Sequence, residues 1–213
     1  MQCYRKVFVM KKLTKRQKQA IATKLRITQV ATRLFKLNGF DSVKVQDICQ
    51  AAEISTGAFY HHFKSKAEII NTAYEQVDIL VMDRLETKSF CSNLDKLLFL
   101  LGEGANMMEE LGWVFVSEIY KNLLSIDGKY STKPDRYIAL EVKSIVEDSI
   151  KSGELDSSIS SLDLTIIIMR ISRGTIFDWC LNDGSYNLKS TMEFELNLVL
   201  SNFKTEKPYG NSR

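Results

Sequence analysis

The chain has 213 residues, of which 45% are hydrophobic and 26% charged, with only 2 prolines and 10 glycines. This composition is typical of one large or two small globular domains; it excludes collagen-like, mucin-like and disordered proteins and favours long helices. Residues 1–66 carry 14 Lys and Arg against 3 Asp and Glu, a net charge of +11, whereas residues 67–213 have a net charge of −8. Such an asymmetry indicates that the N-terminal part of the chain meets a polyanion.

The cysteines and the apolar runs indicate an intracellular protein. The scattered Cys3, Cys49, Cys91 and Cys180 form no C-x-x-C pair or Cys/His cluster, so we expect reduced thiols and neither a metal site nor a cofactor. The aliphatic runs at residues 7–10 and 166–169 are too short for a signal peptide or a membrane span, which favours a cytoplasmic location. Met10 begins a second plausible start, so residues 1–9 are either an ordinary N-terminal extension or precede the native start.

Helical periodicity runs along the whole chain. Ile27, Ala31, Leu34 and Phe35 recur on one face of a helix predicted over residues 15–38, and Gly39 is a natural stop behind it. Similar apolar repeats predict helices over residues 45–52, 56–63, 66–88, 93–110, 113–124, 135–152, 162–182 and 189–203. No alternating strand pattern is present, so the fold class is predicted to be all-α with about nine helices.

Two of these helices are short and follow a longer one, which is the arrangement of a helix-turn-helix. In the second of the two, Phe59 and Phe63 share a face and are predicted to anchor it in the core. Gly57, Tyr60 and His61 project the other way, so the outward face carries no acid. Together with the charge of residues 1–66, this face predicts a DNA-binding surface.

The residues of this region closely resemble the DNA-binding signature of the tetracycline-repressor (TetR) family of bacterial regulators. The resemblance covers about residues 20–70 and rests on Gly39-Phe40, Val45-Gln46-Asp47-Ile48, Ala51-Ala52 and the run Ser55-Thr56-Gly57-Ala58-Phe59-Tyr60-His61-His62-Phe63-Lys64-Ser65-Lys66. It implies a helix-turn-helix domain at residues 15–66 and a helical effector-binding and dimerisation domain at residues 67–205. Residues 1–14 then form a flexible basic extension and residues 206–213 a tail.

Two positions depart from the family pattern. Lys44 stands where the family usually has a Thr or Ser that caps the second helix, and a lysine side chain cannot cap. Either Ser42 substitutes for it, or the helix start is frayed and Lys44 reaches for a phosphate. Glu53 stands where a turn glycine is usual, at a cost of about 1 kcal/mol if its φ is positive.

The resemblance implies a set of DNA contacts: Lys44, Val45, Ser55, Thr56, Gly57, Ala58, Tyr60, His61 and Lys66. Tyr60 and Lys66 are expected to hold phosphates, and Thr56, Ala58 and His61 to meet base edges or thymine methyl groups. For His62, a structural hydrogen bond and a DNA contact remain alternatives. The basic residues between Arg5 and Lys24 form either a solvated tail or an arm that adds phosphate or minor-groove contacts.

In the C-terminal part the resemblance implies a pocket for a small molecule that alters the spacing of two DNA-binding heads. The candidate lining consists of Phe99, Met107, Met108, Trp113, Phe115, Tyr120, Tyr137 and Met169. These side chains are largely apolar, which favours an amphipathic or aromatic effector.

The last two long helices are apolar on more than one face, as in a subunit interface or an interior helix pair. The resemblance favours the interface, with candidates Ile167, Ile171, Phe177, Trp179, Met192, Leu196, Val199 and Phe203. A two-fold dimer predicts a palindromic operator.

We therefore predict a homodimeric, ligand-responsive transcriptional repressor that binds double-stranded operator DNA and is released by a small, largely apolar effector. The alternative is a nucleoid or division regulator without an effector. An enzyme is disfavoured because both histidines lie in the second short helix, residues 56–63, which is the recognition helix of the helix-turn-helix. In addition, no Gly-rich phosphate loop, G-x-S-x-G or metal-ligand spacing occurs in the sequence.

Overall fold

The computed structural model describes residues 14–123 and 130–205. In these ranges the chain forms nine α-helices and a 3₁₀ turn at Tyr130–Thr132, without a regular strand. The helices are α1 Lys15–Asn38, α2 Val45–Ala51, α3 Thr56–His62, α4 Lys66–Glu86, α5 Asn93–Leu111, α6 Trp113–Leu123, α7 Tyr137–Lys151, α8 Ser161–Leu181 and α9 Leu188–Leu200. The all-α prediction is confirmed.

The helix ends follow local capping signals. Thr14 accepts a hydrogen bond from the Gln17 N–H (3.2 Å), and the Gln17 side chain accepts one from the Thr14 N–H, so α1 begins at a capping box. The last helix ends at Leu200, three residues before its predicted end at Phe203, because the chain turns there and the Phe203 carbonyl accepts from the Asp156 N–H. The predicted tail, residues 206–213, and residues 1–13 of the basic extension lie outside the described residues.

The helices cluster into two compact units. The first contains the described part of Met1–Val77 together with that of Val114–Lys133, and so holds α1–α3, the first half of α4 and nearly all of α6. Ile27, Ile48 and Phe59 are fully buried in its core. The centroid of the Phe35 ring lies 4.9 Å from that of Phe40 and 6.4 Å from that of Phe115. Thus α6, which is distant in sequence, packs against the first helix.

The second unit contains Asp78–Trp113 and the described part of Pro134–Arg213. Helix α5 packs against α7, α8 and α9 around Leu97, Val142, Ile168 and Leu196, which are all fully buried. No helix within the two described ranges is both long enough and apolar enough to cross a membrane. The expected domain boundaries at residues 15–66 and 67–205 remain a prediction.

Candidate nucleic-acid interface

Helix α2, the first helix of the helix-turn-helix, is capped by a hydrogen bond that was not predicted from the sequence. The Lys44 side chain makes no capping hydrogen bond, as expected, but the helix start is neither frayed nor held by Ser42. Instead the Asp47 carboxylate accepts a hydrogen bond from the Lys44 backbone N–H at 2.7 Å. This carboxylate in the first turn also interacts favourably with the helix dipole. The exposed Lys44 ammonium is therefore not needed for the helix start.

The turn between α2 and α3 contains the strained residue expected from the sequence. Glu53 has a φ of 52°. Its N–H donates to the Gln50 carbonyl at 3.2 Å, and the Ile54 N–H donates to the Cys49 carbonyl at 3.0 Å. These two hydrogen bonds form the Schellman motif, which normally places glycine at this position. The turn thus keeps its geometry although glutamate replaces the glycine.

Two aromatic anchors hold helix α3 in place. Phe59 is 0% and Phe63 1% exposed, and their ring centroids lie 5.8 Å apart. The Ser55 hydroxyl caps the helix by accepting from the Ala58 N–H at 3.1 Å. The predicted core face and cap are confirmed, and they fix which side chains of α3 turn away from the core.

The outward side of α3 is polar and accessible. Thr56, Gly57 and His61 are exposed, Ala58 is half-buried, and Tyr60 is 55% exposed. With Ser55, exposed Lys44 and half-buried Val45 at the start of α2, these residues define the reading surface: Lys44, Val45, Ser55, Thr56, Gly57, Ala58, Tyr60 and His61. This surface is free of carboxylates, so it is electrostatically compatible with a polyanion.

Lys66 differs from the other expected DNA contacts. Its Nζ donates hydrogen bonds to the carbonyl oxygens of Phe40 (2.6 Å), Asp41 (3.3 Å) and Val43 (3.0 Å). The ammonium also lies 4.4 Å from the centroid of the Phe40 ring. An ammonium has three donors, and all three are used by the loop between α1 and α2. The geometry therefore gives Lys66 the position of a structural clamp, although its expected contact with phosphate stays a prediction.

His62 lies at the edge of the core face. Its ring makes an edge contact with His61 at 5.1 Å between centroids, and it forms no hydrogen bond within residues 14–123 and 130–205. Partial burial lowers the pKa of His62, and the nearby His61 and Lys24 lower it further. The structural hydrogen bond considered for His62 is therefore absent from the described part of the chain.

Helix α1 adds positive charge to the same unit. No acid occurs between Lys15 and Asn38, and Lys15, Arg16, Lys18 and Arg26 are exposed. Lys24 lies 5.4 Å from the centroid of the Phe63 ring, which places one basic side chain of α1 beside the recognition helix. The arm residues before Thr14 fall outside the described part of the chain, so their contact with DNA stays a prediction.

The candidate effector residues are divided between the two units. Phe115 and Tyr120 belong to the first, whereas Phe99, Met107, Met108, Trp113, Tyr137 and Met169 belong to the second. Phe115 and the three methionines are buried, and Trp113 is 37% exposed. A pocket made by this set remains a prediction.

The candidate interface residues divide by exposure. Trp179, Met192 and Leu196 are only 4%, 1% and 0% exposed, which corrects their expected place in a subunit interface, because side chains packed inside the unit cannot contact a second chain. Phe177 is 47% exposed, and Ile167, Ile171, Val199 and Phe203 are half-buried. Phe203 follows the end of α9 rather than lying on it.

Several exposed residues on the outer face of α8 and α9 are absent from the interface set expected from the sequence. Leu181, Phe194 and Leu198 are 66%, 67% and 61% exposed. Between the two helices lies an open groove of about 390 Å³, lined by Ile171, Gly174, Thr175, Asp178, Glu195, Leu198 and Val199. Phe194 and Leu198 are four residues apart on α9, and this spacing was the available sign that they share a face.

Comparison with known proteins supports the same interpretation. The family model described as "Bacterial regulatory proteins, tetR family" matches residues 27–73. The fatty acid metabolism regulator protein of Bacillus subtilis is 22% identical over 182 residues, covering 83% of this chain and 93% of that protein. The transposon Tn10 TetC protein of Escherichia coli is 30% identical over 138 residues, covering 58% of this chain and 66% of that protein.

The fold is also found in a solved structure. Thermus thermophilus FadR, described as a TetR-family transcriptional repressor in complex with lauroyl-CoA, superposes with a TM-score of 0.67. The two sequences are 17% identical, and the match covers 89% of this chain and 100% of the FadR chain. The Bacillus subtilis protein is described as a regulator, and the Thermus thermophilus protein as a transcriptional repressor.

Proposed function

Since the chain belongs to the TetR family of bacterial regulatory proteins and is a DNA-binding transcription regulator, we propose that it is a homodimeric repressor. It binds a palindromic operator and is released by a small, largely apolar effector. We assign it no enzymatic reaction, and we place it in the cytoplasm because its operator DNA lies there.

The observation that carries the proposal is the reading surface. Its helix is anchored by Phe59 and Phe63 and capped by Ser55, so its outward side chains are presented on a rigid element. Thr56, Ala58 and His61 are assigned to base edges, and Tyr60 and Lys44 to phosphates. The His61 imidazole and the Thr56 hydroxyl can read donor and acceptor patterns, and the Ala58 methyl can contact a thymine methyl group. The Tyr60 hydroxyl can donate to a phosphate oxygen, and the exposed Lys44 ammonium adds charge.

The proposed dimer uses the outer face of α8 and α9. Phe177, Leu181, Phe194 and Leu198 expose apolar surface on two adjacent helices, and an apolar patch of this kind is typical of a protein interface. A two-fold axis through it would present two copies of α3 to successive major grooves, about 34–36 Å apart on the DNA. The operator is therefore expected to consist of two inverted half-sites.

The effector is proposed to be amphipathic, with fatty-acyl compounds as the first class to test. This choice is supported by the fatty acid metabolism regulator of Bacillus subtilis and by lauroyl-CoA in the Thermus thermophilus FadR structure. The candidate lining residues in α5–α8 are mostly apolar, which suits an acyl chain.

The test begins by selecting DNA from a random pool with the full-length protein. We expect enrichment of an inverted repeat, and His61→Ala should relax base preference within each half-site while Lys143→Ala, on an exposed part of α7, leaves it unchanged. Lauroyl-CoA is then added to the complex, with coenzyme A as the control. Failure to enrich any inverted repeat would contradict the dimeric repressor, and a complex that survives lauroyl-CoA would remove acyl-CoA from the candidates.

A further inference from the structure

Two buried polar atoms in the first unit have no hydrogen-bond partner within the described ranges. They are Nε2 of Gln76, on the part of α4 that belongs to this unit, and Oε2 of Glu118 on α6. Leaving a buried donor or acceptor unpaired destabilises the folded state, and a charged group left unpaired destabilises it more. Most buried polar groups in proteins are paired, so each exception calls for an explanation.

The surroundings of Glu118 offer its second oxygen little compensation. Oε1 lies 3.4 Å from the Lys121 ammonium, but that lysine is 65% exposed and also lies 3.6 Å from the Asp41 carboxylate. Phe115, three residues earlier on the same face of α6, is buried. One carboxylate oxygen therefore lies near an exposed lysine, and the other is buried without a hydrogen-bond partner.

Gln76 lies in a comparable setting. One turn earlier on the same face of α4 is Thr72, which is 8% exposed, and Ile69 precedes it at 1% exposed. Val77, its neighbour in the chain, is 8% exposed. Gln76 is thus a half-buried amide whose Nε2 atom is buried and donates no hydrogen bond.

We propose that Gln76 and Glu118 are polar contacts of the effector, which therefore carries a hydrogen-bond donor for Glu118 and an acceptor for Gln76. An amide or a hydroxyl group attached to an apolar chain meets both requirements, and the pantetheine amides of an acyl-CoA belong to this class. A carboxylate is excluded from the vicinity of Glu118 because two like charges repel each other there. This inference rests on the proposed function, since it specifies the polar chemistry of the effector.

Glu118 lies on a helix that contacts the DNA-binding helices of the same unit, so a ligand bound to Glu118 can affect them. Helix α6 also carries Phe115, stacked at 6.4 Å on Phe35 of α1, and Lys121, paired with Asp41 in the loop after α1. A ligand that draws the Glu118 carboxylate away from Lys121 alters a helix that is already packed against α1.

The experiment uses the full-length protein and four probes of equal chain length: octanamide, 1-octanol, octylamine and octanoate. Binding is measured as the shift in melting temperature, and from titrations as Kd. For the wild type we expect octanamide to bind most tightly and octanoate at least tenfold more weakly. Glu118→Gln should weaken octylamine binding about tenfold and improve octanoate binding, because the amide can donate to a carboxylate.

The matched control is Asp148→Asn, which neutralises an exposed carboxylate paired at i, i+3 with Lys151 at 3.3 Å, as Glu118 is with Lys121. It should leave the order of the four probes unchanged. The same order of affinities in Glu118→Gln and wild type, or no shift of the wild type with any probe, would overturn the proposal. Selection of an operator is unaffected by either result, so this failure is distinguishable from failure of the proposed function.

A second measurement separates a ligand contact from a structural role. If both groups await a ligand, Gln76→Leu and Glu118→Met remove a buried unpaired atom, and the free protein should melt at an unchanged or higher temperature, by up to about 2–4 °C. Both variants should lose at least tenfold in octanamide affinity. A fall in melting temperature of several degrees in both variants would show that these side chains support the fold, and would contradict the proposal.

Discussion

Asp78 and Arg136 form a bidentate ion pair inside the second unit, with Nε and one terminal nitrogen of the guanidinium each 2.8 Å from a carboxylate oxygen. Asp78 is 0% and Arg136 6% exposed. The pair joins the middle of α4 to the residue that precedes α7. Two parallel charge-assisted hydrogen bonds compensate the loss of hydration that burial imposes on both charges.

Asp78→Ala is therefore expected to be strongly destabilising, since it leaves the Arg136 charge buried without its carboxylate. The free energy of unfolding should fall by about 3–5 kcal/mol, measured by urea denaturation. The double variant Asp78→Leu/Arg136→Met should recover most of that loss, because neither charge remains. A double variant as unstable as Asp78→Ala would show that the pair contributes specific stability beyond charge compensation.

Substitution of Lys66 tests whether this residue stabilises the fold or contacts the DNA backbone. Lys66→Met removes the three hydrogen bonds to the loop after α1, so we expect the unfolding free energy to fall by about 1.5–3 kcal/mol. The slope of log K for operator binding against log salt should remain that of the wild type. Lys44→Ala, by contrast, should leave stability unchanged and make the slope shallower by about 0.9, the value for one phosphate contact. A shallower slope for Lys66→Met would assign Lys66 to the DNA backbone.

Glu53→Gly is expected to stabilise the protein. The residue has a φ of 52°, where glycine avoids the steric cost of a Cβ atom, so the unfolding free energy should rise by about 1 kcal/mol. Ala22→Gly, on an exposed part of α1, is the control and should lower it by about 1 kcal/mol. Destabilisation by Glu53→Gly would mean that the glutamate side chain makes a contribution larger than the backbone strain.

The Glu154 carboxylate accepts hydrogen bonds from the first residues of α5, so its protonation at low pH is expected to destabilise the protein. Burial alone would raise the pKa of Glu154, but hydrogen bonds from the Asn93 and Leu94 N–H groups, each 3.1 Å, and from the Asn93 and Ser152 side chains hold this pKa below its ordinary value. A carboxyl with a lowered folded-state pKa stabilises the protein above its unfolded pKa. This contribution is lost as the pH falls through the folded-state value.

Glu154→Gln should accordingly lower the melting temperature at pH 7 and reduce the difference in melting temperature between pH 7 and pH 3. Thermal denaturation across this range measures both. Asp148→Asn, which affects an exposed carboxylate, is the control and should retain the wild-type pH dependence. An unaltered pH profile in Glu154→Gln would show that other carboxyl groups dominate acid unfolding.

Much of the DNA-binding region could be predicted because its signals are local. The spacing of Phe59 and Phe63 identified the buried face of α3, and Ser55 identified its start; both are confirmed. The start of α2 was not predicted because the side chain at the capping position, Lys44, cannot cap, whereas the carboxylate of Asp47, three residues later, accepts from the Lys44 backbone N–H. A carboxylate in the first turn was the available signal.

The C-terminal part was harder to interpret, since its helices are apolar on several faces. Periodicity could not distinguish Trp179, which is buried in the protomer, from Phe177, which is exposed. Which face of such a helix is covered depends on neighbours distant in the chain, and the sequence does not state their positions.

The sequence by itself determined the helical class, the position of the helix-turn-helix and the outward side of its recognition helix, because capping and 3.6-residue periodicity act over a few residues. Only the tertiary structure decided that the Lys66 ammonium is occupied by carbonyls at Phe40, Asp41 and Val43, and that Gln76 and Glu118 each keep a buried atom unpaired among the described residues. The hydrogen bonds of Lys66 join segments separated by more than 20 residues. Such contacts arise only when the whole core is packed.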